Sequence, residues 1–154
     1  MAIAYPLDQR SFEIGMINAF VEMVACGVKP LAISPPIEPD HLELMRRASE
    51  ELSQAFGTSC YIEQSLMITD IQSAAFTEGK YSILYYKDPS ALVRYLTLKR
   101  EADALRASGC YHGPRRREIS VAFGRLLGYP TDVIHAKVDS EARIDPFVIS
   151  GEET

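Results

Sequence analysis

The chain has 154 residues, of which 47% are hydrophobic and 24% charged, and its formal net charge is −5. This length and composition predict one folded domain over residues 1–154 and exclude wholesale disorder. The negative charge argues against broad binding to nucleic acid or to membrane surfaces, so neither is expected as a partner.

The cysteines and the N-terminal segment favour a reduced, cytoplasmic protein. Cys26, Cys60 and Cys110 form no Cys-x-x-Cys pair, so they predict neither a disulfide framework nor a zinc site, and their roles stay open. Residues 1–10 lack the basic start and long apolar run of a signal peptide. No apolar stretch approaches transmembrane length, which also favours a soluble protein.

The first helix is predicted over residues 11–26, with Asp8 or Ser11 as its cap and Gly27 as its end. Its apolar residues spread beyond one stripe, so we expect the helix to be buried on more than one side. A short strand over residues 31–34 follows, and the two prolines after it end the strand.

A second helix is predicted to end at Gly57, because a glycine commonly follows the last helical residue. Asp40 and Glu43 stand three residues apart at its start, which is the spacing of a capping box. Its buried stripe is predicted from apolar residues at helical spacing, namely Leu42, Met45, Ala48, Leu52, Ala55 and Phe56.

Two β-rich segments occupy the middle of the chain. Residues 60–69 predict a strand with one apolar face that includes Ile68. Residues 81–86 are apolar on both faces, which places them at the centre of a sheet. The intervening residues 70–80 are too many for a tight hairpin. They form either a loop or helical turn that covers a ligand, or a surface excursion without function.

The second half of the chain predicts three helices. Asp88 caps the first, Pro89 opens it and Gly109 ends it. Pro114 opens the next helix, and Thr131 or Asp132 caps a short last one. The buried face of the Pro114 helix is predicted from one helical stripe, namely Ile119, Ala122, Phe123, Leu126 and Leu127.

The order of these elements predicts an α/β fold, or a mixed α+β fold, with a small central sheet of about three to four strands and helices packed on it. Residues 140–154 form an acidic tail, and the apolar patch at residues 146–149 predicts an edge strand, a cover for a neighbouring chain or a flexible segment. That patch and the apolar first helix together predict a homodimer.

The clearest functional signal is the arginine cluster, which we define as Arg115, Arg116 and Arg117 in the first turn of the Pro114 helix. Cations at a helix start oppose the helix dipole. Beside free backbone N–H groups, however, arginines suit a phosphate or carboxylate. We therefore expect a small anionic ligand there, with His112 and Tyr111 at its edge.

Other interpretations of these residues remain open. The arginine cluster is also typical of a solvated basic turn whose charge is offset by Glu101, Asp103 or Glu118, and exposed charge clusters commonly have no specific partner. A small enzyme using His112 as acid or base on an anionic substrate is a second hypothesis. A non-catalytic protein-interaction subunit is a third.

Cysteine and metal chemistry have weaker support in the sequence. A thiol nucleophile, Cys60 or Cys110, would need contact with a base such as His112, and no local signature predicts it. His41, His112 and His135 lack metal-ligand spacing. The chain also lacks the usual nucleotide-binding motifs, so neither a metal nor another cofactor is expected.

The segment from Gly124 through Pro130, with Asp132 and Val133 after it, resembles the C-terminal segment of an uncharacterised family of small bacterial proteins, a domain of unknown function. That family also has a Lys-Pro step before an early strand, to which Lys29 and Pro30 are similar. Its His-Glu pair upstream of the glycine is replaced here by two apolar residues, so no role of that pair carries over. The resemblance implies a similar architecture but no activity.

Overall fold

The computed structural model describes residues 5–72 and 74–139, and its centre is a three-stranded antiparallel sheet. The strand order is β1 (Leu31–Ile33), β3 (Ser82–Tyr86) and β2 (Ser59–Glu63). The predicted α/β class is confirmed, with all pairings antiparallel, and so is the central position of the third strand.

Helices cover both faces of the sheet. Helices α1 (Gln9–Ala25) and α2 (Leu42–Phe56) pack on one face, and α4 (Pro89–Ala107) and α5 (Gly113–Leu126) pack on the other. Successive residues of β3 point alternately to these two layers, so both of its faces are buried. Shorter helical segments complete the described fold: a 3-10 turn at Pro39–His41, α3 at Ala74–Thr77 and α6 at Thr131–Asp139.

Most of the predicted helix ends are confirmed. Asp8 caps α1 by accepting a hydrogen bond from the Ser11 N–H at 2.7 Å, and Asp88 caps α4 in the same way. The capping box at Asp40 and Glu43 was a wrong prediction. A 3-10 turn leads into α2, so the cap position falls on His41, and the Glu43 carboxylate instead accepts from Arg46 Nε at 3.0 Å.

The second strand ends at Glu63 rather than continuing to residue 69. The Glu63 side chain turns inward and accepts a hydrogen bond from the Ser65 N–H at 3.0 Å. The chain then leaves the ladder of strands. Ile68, predicted on the buried face of that strand, is therefore 39% exposed.

Two predictions of helix burial also need correction. In α2 the buried positions include Ser49 and Ser53, while Ala55 is exposed. Ser49 can lie inside because its hydroxyl is 2.7 Å from the Tyr85 hydroxyl and bonds to it. Within the described chain α1 packs by a single face, and Met23 on its other side is 38% exposed. The predictions for residues 140–154 fall outside the described residues.

Four of the five residues in the stripe predicted for α5 are buried and Ala122 is half-buried. Phe123 is fully buried, and its ring centroid lies 6.0 Å from that of Tyr95. The glycine after it has a packing role. A Cβ at Gly124 would lie only 2.8 Å from Ile134 Cγ1, so the missing side chain lets α6 pack closely on α5.

Phe123→Ala should therefore lower the free energy of unfolding by roughly 3–5 kcal/mol, through lost burial and the cavity left behind. Denaturant unfolding measures the loss. Val93→Ala, on the exposed surface of α4, serves as the control and should change stability little. Equal losses in the two variants would contradict the assignment of the buried face.

Candidate functional site

A cavity of about 180 Å³ lies at the outer edge of β1, between the two helical layers. Both layers contribute to its wall, α1 from one face of the sheet and the α5–α6 connection from the other. The residues that line it are Met16, Phe20, Lys29, Ala32, Ile33, Gln72, Leu127 and Tyr129. No acidic side chain is among these described lining residues.

The open edge of β1 adds backbone polar groups to this wall. The Ser34 N–H donates to the Ile83 carbonyl at 2.9 Å. This hydrogen bond shows which residues at β1 direct their backbone N–H and C=O groups toward β3. Because an antiparallel ladder alternates, the N–H and C=O of Ile33 point away from β3, toward the outer edge. No hydrogen bond from this N–H to another described residue is present.

Lys29 is the single charged residue of the described lining. It follows the end of α1, and its Nζ lies 5.7 Å from the Phe20 ring centroid and 5.3 Å from that of Tyr129. No carboxylate among the described residues pairs with it. Burial lowers the pKa of Lys29, because a half-buried ammonium loses hydration that no counter-charge replaces.

Gln72 is the second polar side chain of the cavity. The residue is 5% exposed, and its carboxamide makes no hydrogen bond to a described residue. Its backbone is fixed in a tight turn with Thr69: the Thr69 N–H donates to the Gln72 carbonyl at 3.1 Å, and the Gln72 N–H donates back at 3.3 Å. With no hydrogen-bond partner among the described residues, this carboxamide is available to a ligand or to water.

Gly128 brings the two sides of the cavity together. Its φ is +76°, and a Cβ there would meet Lys29 Cγ at 3.1 Å and the Val28 carbonyl oxygen at 3.2 Å. The loop after α5 and the loop after α1 therefore touch through their backbones. This contact joins the Lys-Pro step and the glycine segment that carry the resemblance described above.

The three members of the arginine cluster have three separate sets of acidic partners. Arg115 contacts Glu101 and Glu118, two of the carboxylates expected to offset its charge. The other pairs were not anticipated: Arg116 contacts Asp70, and Arg117 Nη2 lies 3.1 Å from Asp139 Oδ2. The pairing with Asp70 raises the pKa of Arg116, and the pairing with Asp139 raises the pKa of Arg117. An anion bound at this helix start would have to compete with these carboxylates.

Tyr111 and His112, predicted at the edge of the arginine site, lie apart from the cavity lining. His112 is exposed and occupies the cap position of α5 without a capping side-chain hydrogen bond. The Tyr111 ring packs against Arg106, whose guanidinium carbon is 4.1 Å from the ring centroid. Burial raises the pKa of Tyr111, and its hydroxyl has no hydrogen-bond partner among the described residues. The anion site at the helix start stays a prediction.

Within the described part of the chain, no hydrogen bond joins the thiol of Cys60 or Cys110 to the His112 ring, and neither thiol forms a disulfide. The His112 backbone N–H donates to the Cys110 carbonyl at 2.9 Å. Burial raises the pKa of Cys60, which disfavours the thiolate. Residues 5–72 and 74–139 contain no group of three His, Cys, Asp or Glu side chains able to hold a metal ion. No helix in these segments is both long and apolar enough to cross a membrane.

Comparison with known proteins finds no matching protein family, curated protein or solved structure. The resemblance of the Gly124–Pro130 segment to a family of small bacterial proteins therefore stays a prediction.

Gly128→Ala should destabilise the protein more than Gly109→Ala. Both glycines follow helices with positive φ, so both alanines incur about 1 kcal/mol of backbone strain. Only the Cβ at position 128 meets neighbouring backbone, since nothing lies within 4 Å of a Cβ at position 109. We expect an additional loss of about 1–3 kcal/mol for Gly128→Ala in denaturant unfolding. Equal losses would show that the two loops can separate freely.

Proposed function

We propose that this protein is a binding module for a small carboxylate ligand with an apolar body, held in the cavity at the edge of β1. The observation that carries the proposal is the Lys29 ammonium, half-buried among aromatic rings and without a carboxylate partner in the described chain. Partial burial disfavours the charge in that position, and an accompanying anion would offset this cost. A bound carboxylate would supply the missing counter-charge.

The remaining polar groups of the cavity include further hydrogen-bond donors. The Gln72 carboxamide carries two N–H donors, and the outward Ile33 N–H is a third. A carboxylate accepts several hydrogen bonds at once, and those from charged donors are the stronger ones. An ammonium, an amide and a backbone N–H therefore suit a carboxylate better than they suit a cation or an apolar molecule.

The cavity volume limits the size of the ligand. An engineered cavity of about 150 Å³ is known to hold benzene, so about 180 Å³ accommodates a single ring with a small substituent. The apolar body of the ligand would pack against Met16, Leu127 and the rings of Phe20 and Tyr129. We therefore take benzoate as the probe of this chemistry.

The proposed ligand class agrees with the sequence-based hypothesis, but the proposed place is different. At the helix start the arginines already contact carboxylates of the protein, whereas Lys29 contacts none among the described residues. No described contact links His112 to the cavity, so no observation favours the enzyme hypothesis over binding. The homodimer and the interaction subunit stay predictions.

Benzoate should raise the melting temperature of the protein, because a ligand selective for the native state stabilises it by mass action. Lys29→Met keeps the apolar stem and removes the charge, so it should lower benzoate affinity by roughly tenfold or more in calorimetric titration. The matched control is the double variant Arg115→Gln, Arg117→Gln, which should bind like the wild type. Loss of binding in the control alone would move the site to the helix start, and no binding in the wild type would refute the proposal.

Benzoate affinity should also decrease with rising pH. The ligand stays ionised, so the titrating group is Lys29, and only its protonated form attracts a carboxylate. Since burial lowers the pKa of Lys29, the decrease should begin below the ordinary lysine range. Titrations between neutral pH and about pH 10 measure it. An affinity that stays flat across this range would exclude Lys29 as the charge that binds the ligand.

A further inference from the structure

The segment that carries Gln72 is held by side chains from the two helices on its face of the sheet. The Met67 N–H donates to the Tyr95 hydroxyl of α4 at 3.1 Å, and the Ile68 carbonyl accepts from Arg106. Asp70 is bound to α5. Residues 64–72 therefore take their path from contacts with α4 and α5 rather than from regular secondary structure.

Asp70 makes the most elaborate of these contacts. Its Oδ2 accepts from the Ser120 hydroxyl at 2.8 Å and from Arg116 Nε at 3.2 Å, while Arg116 Nη2 donates to Oδ1. The Asp70 N–H donates in turn to the Ser120 hydroxyl at 3.3 Å. Arg116 and Ser120 are one helical turn apart, so both bind the Asp70 carboxylate from the same face of α5. The Asp70 side chain is 14% exposed and the Arg116 side chain is 43% exposed, so only the carboxylate side of the ion pair is largely shielded from water.

Asp70 stands inside the tight turn that orients Gln72. Thr69 and Gln72 exchange backbone hydrogen bonds across it, and the Thr69 hydroxyl accepts from the Ile71 N–H at 3.1 Å. A displacement of Asp70 would therefore carry Gln72 with it. The chain beyond α5 also supplies Leu127 and Tyr129 to the opposite wall of the cavity.

We infer that Arg116 is a positioning residue for the cavity: its ion pair with Asp70 holds the Gln72 carboxamide in place to bind the ligand carboxylate. This inference rests on the proposed function. It gives Arg116 a role that Arg115 and Arg117 do not share. Arg115 and Arg117 bind carboxylates of α4, α5 and α6, and none of those carboxylates lies in the segment that carries Gln72.

A double-mutant cycle on benzoate affinity tests the inference. Arg116→Gln should weaken binding about fivefold to tenfold in the wild-type background and by less than about twofold once Gln72→Ala is present. Arg117→Gln, which breaks an ion pair on the same helix, is the control and should leave affinity unchanged. A contact that only stabilises the fold would weaken binding equally in both backgrounds, and that result would overturn the inference.

Hydrogen exchange supplies a readout that needs no ligand. In the Arg116→Gln variant the amides of Ile71 and Gln72 should exchange faster, while those of β3 keep their protection. If that variant fails to fold, Asp70→Asn keeps the side-chain shape and carries the same expectation. Unchanged exchange at Ile71 and Gln72 would overturn the positioning role. A wild-type protein that binds no benzoate would overturn the proposed function instead, so the two failures are distinguishable.

Discussion

The close contact of Gly128 with the backbone of Val28 and Lys29 is the constraint on which the candidate site depends. Helix α1 lies on one face of the sheet and α5 on the other, and this contact joins the loops that follow them around the edge of β1. In the described chain no further strand pairs with that edge, so side chains from both layers enclose it. The cavity and the position of Lys29 follow from this closure, while the outward backbone groups of β1 follow from its place at the edge of the sheet.

A comparison of two charged groups explains why we propose a site at the half-buried Lys29 and not at the buried Glu63. Glu63 is 4% exposed, yet its carboxylate accepts from Lys99 Nζ at 2.8 Å, from the Tyr95 hydroxyl at 2.7 Å and from a backbone N–H. Such a saturated network fixes β2 against α4 and leaves nothing for a ligand to bind. The side chains of Lys29 and Gln72 have no hydrogen-bond or carboxylate partner in the described chain, although the Lys29 ammonium lies over two aromatic rings. That incomplete state is costly in a folded protein unless a ligand or water completes it.

Signals confined to a few neighbouring residues predicted the helix ends and the central strand, because caps, glycine stops and helical stripes are local chemistry. Predictions failed where a distant partner decides the outcome. Ser49 is buried because Tyr85 bonds to it, and β2 stops at Glu63 because that side chain turns toward α4. The sequence did not predict the candidate site, for the same reason. Lys29 and Gln72 come from separate loops, and nothing around Gln72 in the sequence distinguishes it from an ordinary surface glutamine.

The arginine cluster shows that adjacent residues of one type have different partners in a helix. Successive helical residues point about 100° apart, so three adjacent arginines diverge instead of converging on one anion. Each contacts a carboxylate that its own direction allows, and only Arg116 points toward the segment that carries Gln72. Ser120, one turn further along the same face, binds the same carboxylate. The role that we propose for Arg116 therefore acts through Asp70, by fixing the neutral amide of Gln72.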